Sequence, residues 1–295
     1  MKVESFHPFR SEQAKQEYLA FYDHRAEGWA VASETKMVAT SFGQTFVRIS
    51  GSNNASPLIL LPASVFNSLM WIPNVEALSQ KYRTYAIDNI YDCGRSIYTR
   101  TLSSPEDLTD WLDELFTALD LDGDINLLGL SYGSWLAHQY ALRFPKRVRK
   151  IVLLAHPTIV SMNPVFIFRL FLSFVSPVFF KKFVYWLFQD TAKNDDPSQN
   201  LVESVYEDMR LAGKCFKPKA IVNPTATKES EIYNLQVPTL FLVGENEKTF
   251  SPQKAIQRLN KIAPQIKTEV ISKAGHDLNF AQASLINYKV LDFLE

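Results

Sequence analysis

The chain has few cysteines, no net charge and no long apolar run, and each shortage excludes a class of protein. Its 295 residues include only Cys93 and Cys215 as cysteines, too few for the disulfide framework of many small secreted domains. We expect both thiols to be reduced and structural. Thirty-one basic residues balance 31 acidic ones, so the chain lacks the positive field that attracts phosphate backbones. We therefore expect no nucleic-acid partner.

No segment has the pattern of a membrane span or of a secretory leader. The most apolar stretch runs only from Leu170 to Phe180 and is flanked by Arg169 and Lys181, whereas a transmembrane helix needs at least ~18 apolar residues. The start of the chain carries both signs of charge and lacks an apolar run, unlike a signal peptide. These features predict no transmembrane segment and a cytoplasmic location.

Composition and periodicity instead indicate a globular protein of the α/β class. Hydrophobic residues make up 46% and charged residues 21% of the chain, a balance typical of folded domains. Short apolar runs alternate with longer amphipathic ones, which favours parallel βαβ units. The predicted strands are Lys36–Ser41, Thr45–Ser50, Leu58–Leu61, Thr84–Asp88, Ile125–Leu130, Val148–Leu154, Thr239–Val243 and Thr268–Ser272. The predicted helices are residues 11–28, Met70–Tyr82, Pro105–Leu119, Tyr132–Phe144, Pro252–Ala263 and Ala281–Phe293. We expect one mostly parallel central sheet flanked by helices.

The alternation is interrupted by a segment rich in phenylalanine. Of the 21 phenylalanines, 8 lie between Phe166 and Phe188, in two predicted helices separated by a Ser-Pro pair. We interpret residues 157–235 as a helical cap inserted between two parts of one core, residues 1–156 and 236–295. The alternative is an extra helical layer whose aromatic side chains only fill the core.

A Gly-x-Ser-x-Gly motif, Gly129 to Gly133, stands between a predicted strand and a predicted helix. A serine on such a sharp turn projects its hydroxyl above the sheet edge, and the flanking glycines avoid collisions across the turn. The following helix directs its free N–H groups towards the same point, which favours a developing negative charge. The context predicts that Ser131 is a nucleophile.

A serine nucleophile needs a general base, and histidine has a suitable pKa. Two of the five histidines, His156 and His276, follow predicted strands and could lie over the carboxyl ends of the sheet. In hydrolases with this serine turn the acid lies between serine and histidine in the chain, which favours His276. Either Glu245 or Glu247, after the strand that ends at Val243, could orient the imidazole.

Three motifs in this order resemble the α/β-hydrolase superfamily, and the resemblance extends from about Lys36 to the end of the chain. They are Gly129-Leu130-Ser131-Tyr132-Gly133, Gly244-Glu245-Asn246-Glu247 and Ala274-Gly275-His276. The segment from Lys81 to Asp88 and a glutamate as the acid look closer to soluble bacterial carboxylesterases that include arylpropionate-ester hydrolases.

The resemblance implies further roles for individual residues. In the superfamily the acid commonly stands three residues after the glycine, which falls on Glu247. The oxyanion hole would be formed by the N–H groups of Tyr132 and Ser64. Family members usually carry His-Gly where this chain has Pro62-Ala63, and loss of a donor costs about 100- to 1,000-fold in rate. A weakened hole would therefore make a slow enzyme.

The activity that the resemblance implies is hydrolysis of a small-molecule carboxylic ester, without cofactor or metal, through an acyl-enzyme on Ser131. Thioesterase, amidase, carbon–carbon hydrolase and perhydrolase reactions share the triad and stay open. Dehalogenases and epoxide hydrolases use an aspartate nucleophile and are disfavoured. A noncatalytic binding protein with this fold is an alternative of another class. The aromatic cap could also contact lipid, and the oligomeric state is not indicated.

Overall fold

One sheet of nine strands organises the part of the chain that this computed structural model describes, residues 4–193 and 196–295. The strands are β1 Ser33–Thr40, β2 Gly43–Ser50, β3 Pro57–Leu61, β4 Arg83–Ile87, β5 Ile97–Tyr98, β6 Ile125–Leu130, β7 Val148–Leu154, β8 Thr239–Gly244 and β9 Lys267–Ile271. They pair in the order β1-β2-β4-β3-β6-β7-β8-β9, and β5 pairs with β2. Pairing is antiparallel among β1, β2, β4 and β5 and parallel from β4 to β9.

Helices connect the strands and flank the sheet. They are α1 Glu12–Ala26, α2 Ile72–Ser79, α3 Pro105–Ala118, α4 Tyr132–Arg143, α5 Pro164–Ser173, α6 Pro177–Leu187, α7 Asp196–Cys215, α8 Glu229–Tyr233, α9 Pro252–Ile262, α10 Leu278–Ala281 and α11 Ala283–Leu294. The predicted α/β class, with a mostly parallel sheet between helices, is confirmed. Among the described residues, every helix falls short of the length and apolar character needed to cross a membrane.

The sheet is continuous across the phenylalanine-rich segment. Strands β7 and β8 pair in parallel, with Ile151 opposite Thr239 and Leu154 opposite Leu242, although α5 to α8 separate them in the chain. This pairing supports our proposed division into core residues 1–156 and 236–295 around a cap at 157–235.

Apolar side chains fill both faces of the sheet. Along β6, Ile125 and Leu127 face one buried cluster whereas Leu128 and Leu130 face the other. All six residues of β6 are buried, as expected for the centre of a parallel sheet. Full burial of each such side chain contributes about 1.5–3 kcal/mol to folding. The strand that carries the Gly-x-Ser-x-Gly motif is thus held rigidly in the core.

Two predicted helices are interrupted in the structure, whereas the others agree to within two residues at each end. The predicted Met70–Tyr82 helix is a 3-10 turn over Ser68–Trp71 followed by α2, and the Ser68 N–H donates to the buried Asp88 carboxylate at 2.7 Å. The predicted last helix is divided into α10 and α11 at Gln282. The hydrophobic pattern continues through both breaks, so it could not locate them.

The helix predicted over residues 11–28 is α1, and it anchors the inserted segment. Its Tyr18 and Tyr22 side chains are fully buried, and its Arg25 forms a buried ion pair with Asp208 of α7. Asn67 also donates to Asp208, at 3.3 Å. The predicted free thiols are confirmed, since both cysteines are unpaired and buried.

Candidate active site

Ser131 occupies a strained turn between β6 and α4. Its φ of +51° and ψ of −112° lie in a region that side chains other than glycine rarely adopt. The Ser131 N–H donates to the Leu154 carbonyl of β7 at 2.9 Å, which fixes the turn to the neighbouring strand. The strain and this bond together place the serine at the carboxyl edge of the sheet.

The two glycines of the motif permit close backbone approaches. A Cβ atom on Gly129 would lie 2.3 Å from the Gly133 carbonyl carbon, and one on Gly133 would lie 2.1 Å from the Leu61 carbonyl oxygen. Both distances are far below van der Waals contact, so the turn requires glycine at both positions. The second contact also shows that the loop after β3 adjoins the start of α4.

Two backbone N–H groups, one at the start of α4 and one in the loop after β3, have no hydrogen-bond acceptor among the described residues. Tyr132 opens α4, and the first N–H groups of a helix have no intrahelical acceptor. In the loop after β3, the Ala63 N–H donates to Met70 Sδ and the Val65 N–H donates to Asp92 Oδ2, at 3.2 and 3.0 Å. The Ser64 N–H between them has no acceptor among the described residues. These two groups are the donors that the sequence analysis assigned to the oxyanion hole.

His276 and Glu247 form a buried, hydrogen-bonded pair. The His276 Nδ1 atom lies 2.9 Å from Glu247 Oε2 and 3.1 Å from Oε1. The Thr249 N–H donates to Glu247 Oε1 at 2.7 Å, which fixes the carboxylate from the other side. Because a carboxylate accepts the proton on Nδ1, this geometry favours the tautomer in which Nε2 is an acceptor.

The same contacts shift the pKa values of both groups. Burial alone would lower the pKa of His276, but the charge and hydrogen bond of Glu247 outweigh it and hold that pKa above its ordinary value. Burial alone would raise the pKa of Glu247, but the charge of His276 and the hydrogen bonds from His276 and Thr249 hold it below its ordinary value. The pair therefore stabilises an imidazolium next to a carboxylate.

The structure separates the two glutamates that the sequence left two residues apart. Glu245 is exposed, and its carboxylate accepts the Lys273 N–H at 3.3 Å. Glu247 is 7% exposed and contacts His276. Only Glu247 is therefore placed to orient the imidazole.

His156, the alternative base, lies in a different environment. Its Nε2 atom is 3.1 Å from His138 Nδ1, and its Nδ1 atom is 3.3 Å from Thr158 Oγ1. Burial lowers the pKa of His138 to about 4 and that of His156 well below its ordinary value. Both rings are therefore neutral at pH 7, and both nitrogens of His156 have partners other than the serine.

The Ser131 hydroxyl and the His276 Nε2 atom make no hydrogen bond within the described part of the chain. In structures without substrate, catalytic hydrogen bonds are often long and shorten only when substrate binds. A contact between Ser131 and His276 therefore stays a prediction.

Two pairs of polar residues connect the inserted segment to the loops of Glu247 and His276. Asp277 accepts the Thr191 N–H at 2.9 Å and the Thr191 hydroxyl at 2.7 Å, and Asp190 accepts the Asn246 amide at 3.0 Å. The sequence analysis missed these residues. The one available signal was Asp277, an acidic residue directly after the candidate base.

Aromatic rings from three segments meet beside the site. Phe188, which follows α6, lies 6.0 Å from Phe66 and 5.6 Å from Phe280 between ring centroids. Phe66 follows the loop of Ser64, and Phe280 is four residues after His276. These three rings, which we call the aromatic wall, lie next to the loops that carry the candidate catalytic groups.

A cleft of about 850 Å³ runs beside Glu247, between the start of the inserted segment and the start of α9. Its lining includes Asn163, Phe250 and Arg258.

Within residues 4–193 and 196–295, no group of three or more histidine, cysteine, aspartate and glutamate side chains is arranged to hold a metal ion.

Known proteins resemble the chain in sequence and in structure. A family model described as "alpha/beta hydrolase fold" matches residues 56–200. The uncharacterised carboxylesterase nap of Bacillus subtilis (strain 168) is 31% identical over 284 residues, which span 94% of this chain and 91% of the relative. Carboxylesterase YbfK of the same organism is also 31% identical, over 92% of each chain.

The resemblance extends to a solved structure. The crystal structure of naproxen esterase (carboxylesterase NP) from Bacillus subtilis superposes with a TM-score of 0.88 at 29% identity. The superposition covers 97% of this chain and all of that one. The described fold therefore matches that of a carboxylesterase from end to end.

Proposed function

Because this chain belongs to the α/β-hydrolase family, we propose that it hydrolyses small-molecule carboxylic esters through an acyl-enzyme formed on Ser131. The observation that carries the proposal is the buried His276–Glu247 pair at 2.9 Å, in a chain whose serine stands on a strained strand-to-helix turn. The resemblance to bacterial carboxylesterases that the motifs indicated is confirmed by relatives 31% identical over most of the chain. The enzyme is accordingly a carboxylic ester hydrolase.

In the proposed mechanism, Ser131 Oγ attacks the ester carbonyl while His276 Nε2 takes the hydroxyl proton. The tetrahedral intermediate collapses, the carbon–oxygen bond to the alcohol breaks, and His276 gives its proton to the leaving alkoxide. Water then attacks the acyl-enzyme and loses a proton to the same nitrogen. Return of that proton to Ser131 releases the carboxylic acid and restores the enzyme.

Glu247 acts through His276 in this proposal. It holds the imidazole in the tautomer that accepts at Nε2 and stabilises the imidazolium formed during attack. The raised pKa of His276 is consistent with that stabilisation. Glu247 thus orients the base without exchanging a proton.

The N–H groups of Tyr132 and Ser64 bind the oxyanion in this proposal. The Ala63 and Val65 N–H groups on either side of Ser64 already have acceptors. That leaves Ser64 as the donor in this loop, and Pro62, which has no N–H, need not contribute. The Pro62-Ala63 departure therefore leaves the two-donor arrangement possible.

The relatives' names favour ester hydrolysis over the other reactions that a serine triad supports. Thioester, amide and carbon–carbon substrates would need the same groups, and a noncatalytic binding protein would need none of them.

We retain two further predictions: a cytoplasmic location, with which the two free thiols agree, and the absence of a nucleic-acid partner.

A screen of p-nitrophenyl esters of increasing acyl length tests the proposal. We expect wild type to hydrolyse at least part of the series and Ser131→Ala to lose turnover while remaining folded. Ser52→Ala is a matched control, because Ser52 is exposed on a loop at the opposite edge of the sheet. Equal turnover by wild type and Ser131→Ala would refute the assignment of the nucleophile.

A further inference from the structure

The inserted segment exposes an unusual number of large apolar side chains. Nine such side chains lie on α5, on α6 and on the residues that adjoin these two helices, and we call them the cap surface. Their exposed fractions range from 41% to 82%, and they are Met162, Val165, Ile167, Phe168, Phe171, Phe174, Val175, Val178 and Phe179. Single exposed hydrophobic residues are normal, whereas a group on two packed helices indicates an interaction site.

The exposed area is large for one patch. The four phenylalanines of the cap surface are 62%, 69%, 82% and 41% exposed. At about 200 Å² per ring they alone present on the order of 500 Å² of apolar surface. The whole of the largest patch on a typical monomer is about 300–600 Å², and the aliphatic members of the cap surface add to this area.

The side chains of the cap surface lie outside both buried core clusters. The opposite face of α6 buries Phe183, Val184 and Leu187, and Phe188 follows it into the aromatic wall. A surface helix of a globular protein normally turns a polar face to water. Here the outward faces of α5 and α6 are apolar as well. Burial in the core therefore does not explain the apolar side chains on these faces.

The charges around the cap surface identify its partner. From Pro157 to Gln189 the chain has no aspartate or glutamate, but it has Arg169, Lys181 and Lys182. All three basic residues are exposed. Lys181 pairs with Glu203 of α7. Arg169 lies over the Trp186 ring at 4.8 Å, and no ion pair within the described residues neutralises Arg169 or Lys182, so both can attract an external anion.

This combination matches the interfacial layer of an anionic bilayer. Apolar side chains enter the acyl region while neighbouring basic groups contact the headgroups. A second copy of the chain fits less well, because a two-fold interface apposes each patch with itself. Arg169 and Lys182 would then meet basic residues without an acid between Pro157 and Gln189 to neutralise them.

We propose that the cap surface binds the surface of an anionic lipid bilayer, with α5 and α6 lying in its interfacial plane. At 10 and 11 residues and about 1.5 Å rise per residue, neither helix could cross the ~30 Å hydrocarbon core. Binding would hold the aromatic wall of Phe66, Phe188 and Phe280 close to the lipid, where apolar esters partition. The proposal does not depend on the triad, because Ser131→Ala leaves the cap surface unchanged.

Vesicle flotation tests this proposal with phosphatidylcholine alone and with phosphatidylcholine containing phosphatidylglycerol. We expect wild type and Ser131→Ala to float with the anionic vesicles, and 0.5 M salt to weaken binding by screening. Phe171→Ser combined with Phe174→Ser should weaken binding at least ~10-fold. Tyr288→Ser is the matched control, since Tyr288 is a 62% exposed ring on α11.

Charge reversal tests the second part of the proposal. Arg169→Glu combined with Lys182→Glu should reduce flotation with anionic vesicles, whereas Lys36→Glu with Lys146→Glu, at two other exposed lysines, should not. All of these surface variants, unlike Ser131→Ala, should hydrolyse a water-soluble ester at the wild-type rate without vesicles. Failure of the folded wild type to float with either vesicle would overturn the proposal. So would a lipid-free dimer that Phe171→Ser with Phe174→Ser dissociates.

Discussion

Replacing Glu247 by glutamine should slow the chemical step by about 10,000-fold, the loss measured when an aspartate in the same role is neutralised. Glutamine keeps the size of the side chain, and its amide oxygen could still accept the Thr249 N–H. Its NH₂ group would face His276 Nδ1, which then has to accept. The proton moves to Nε2, and the base can no longer take a proton from Ser131.

The same substitution should change the pH dependence in a defined direction. Burial lowers the pKa of His276, and Glu247 is the partner that reverses this. Without the carboxylate, that pKa should fall below its ordinary value. The acidic limb of the residual activity should therefore move to lower pH, although turnover is slower at every pH. If the substitution only reduced the amount of folded protein, the acidic limb of the pH profile would stay at the same pH as in wild type.

The assay is kcat on a p-nitrophenyl ester across pH 5–9, with thermal unfolding of each variant. Glu245→Gln is the matched control, because Glu245 is exposed and its carboxylate accepts the Lys273 N–H rather than a proton of His276. We expect that variant to keep near wild-type kcat. A loss of about 1 kcal/mol in the free energy of unfolding, which lowers Tm by about 2–4 °C, would leave either variant folded in the assay and would not change the interpretation of kcat. A crippled Glu245→Gln beside an active Glu247→Gln would refute the assignment.

Three further predictions concern the base, the aromatic wall and the turn. In wild type, kcat/KM should rise with pH through a pKa above the ordinary value of histidine, because Glu247 raises the pKa of His276 and only the neutral ring accepts a proton; a midpoint below that ordinary value would contradict this. Phe188→Leu should change the ratio of rates on short and long acyl esters, whereas Phe116→Leu, in the opposite core cluster, should only lower Tm; equal ratios would exclude an acyl-pocket role. Gly133→Ala should abolish folding or turnover, since its Cβ would lie 2.1 Å from a backbone oxygen; normal kinetics would refute the close approach.

Local motifs carried most of what the sequence could predict. The Gly-x-Ser-x-Gly turn of Ser131 depends on residues adjacent in the chain, so strand, glycines and helix could be recognised together. The strand bounds of β6 and β7 are those expected, because an unbroken apolar run between turn signals has clear ends. The candidate base followed from its position after a predicted strand and from the chain order.

Long-range contacts could not be predicted. In an extended segment, side chains two residues apart share a side, so the sequence could not separate Glu245 from Glu247. In the structure the chain turns after β8, with the Glu247 N–H donating to the Gly244 carbonyl at 3.2 Å. Only the distant Lys273 and His276 show which glutamate has which surroundings. The bond from Thr191 to Asp277 joins residues 86 apart, and no local pattern indicates it.

Periodicity also could not show which phenylalanines of the cap are buried and which are exposed. A helix that is apolar on every face has no polar stripe to show which side meets the core. The structure shows Phe183 and Phe188 buried while Phe171 and Phe174 are exposed. The prediction that a cap phenylalanine lines the acyl pocket therefore concerns Phe188, which lies beside Phe66 and Phe280.

Fluorophosphonate labelling followed by peptide mass spectrometry tests the central claim most directly. We expect one adduct, on Ser131, because an activated serine displaces fluoride from the reagent, and the resulting phosphonyl-serine resembles the tetrahedral intermediate of ester hydrolysis. His276→Ala should lose the adduct, while His156→Ala should retain it. An adduct on another residue, or folded wild type that remains unlabelled, would contradict the account.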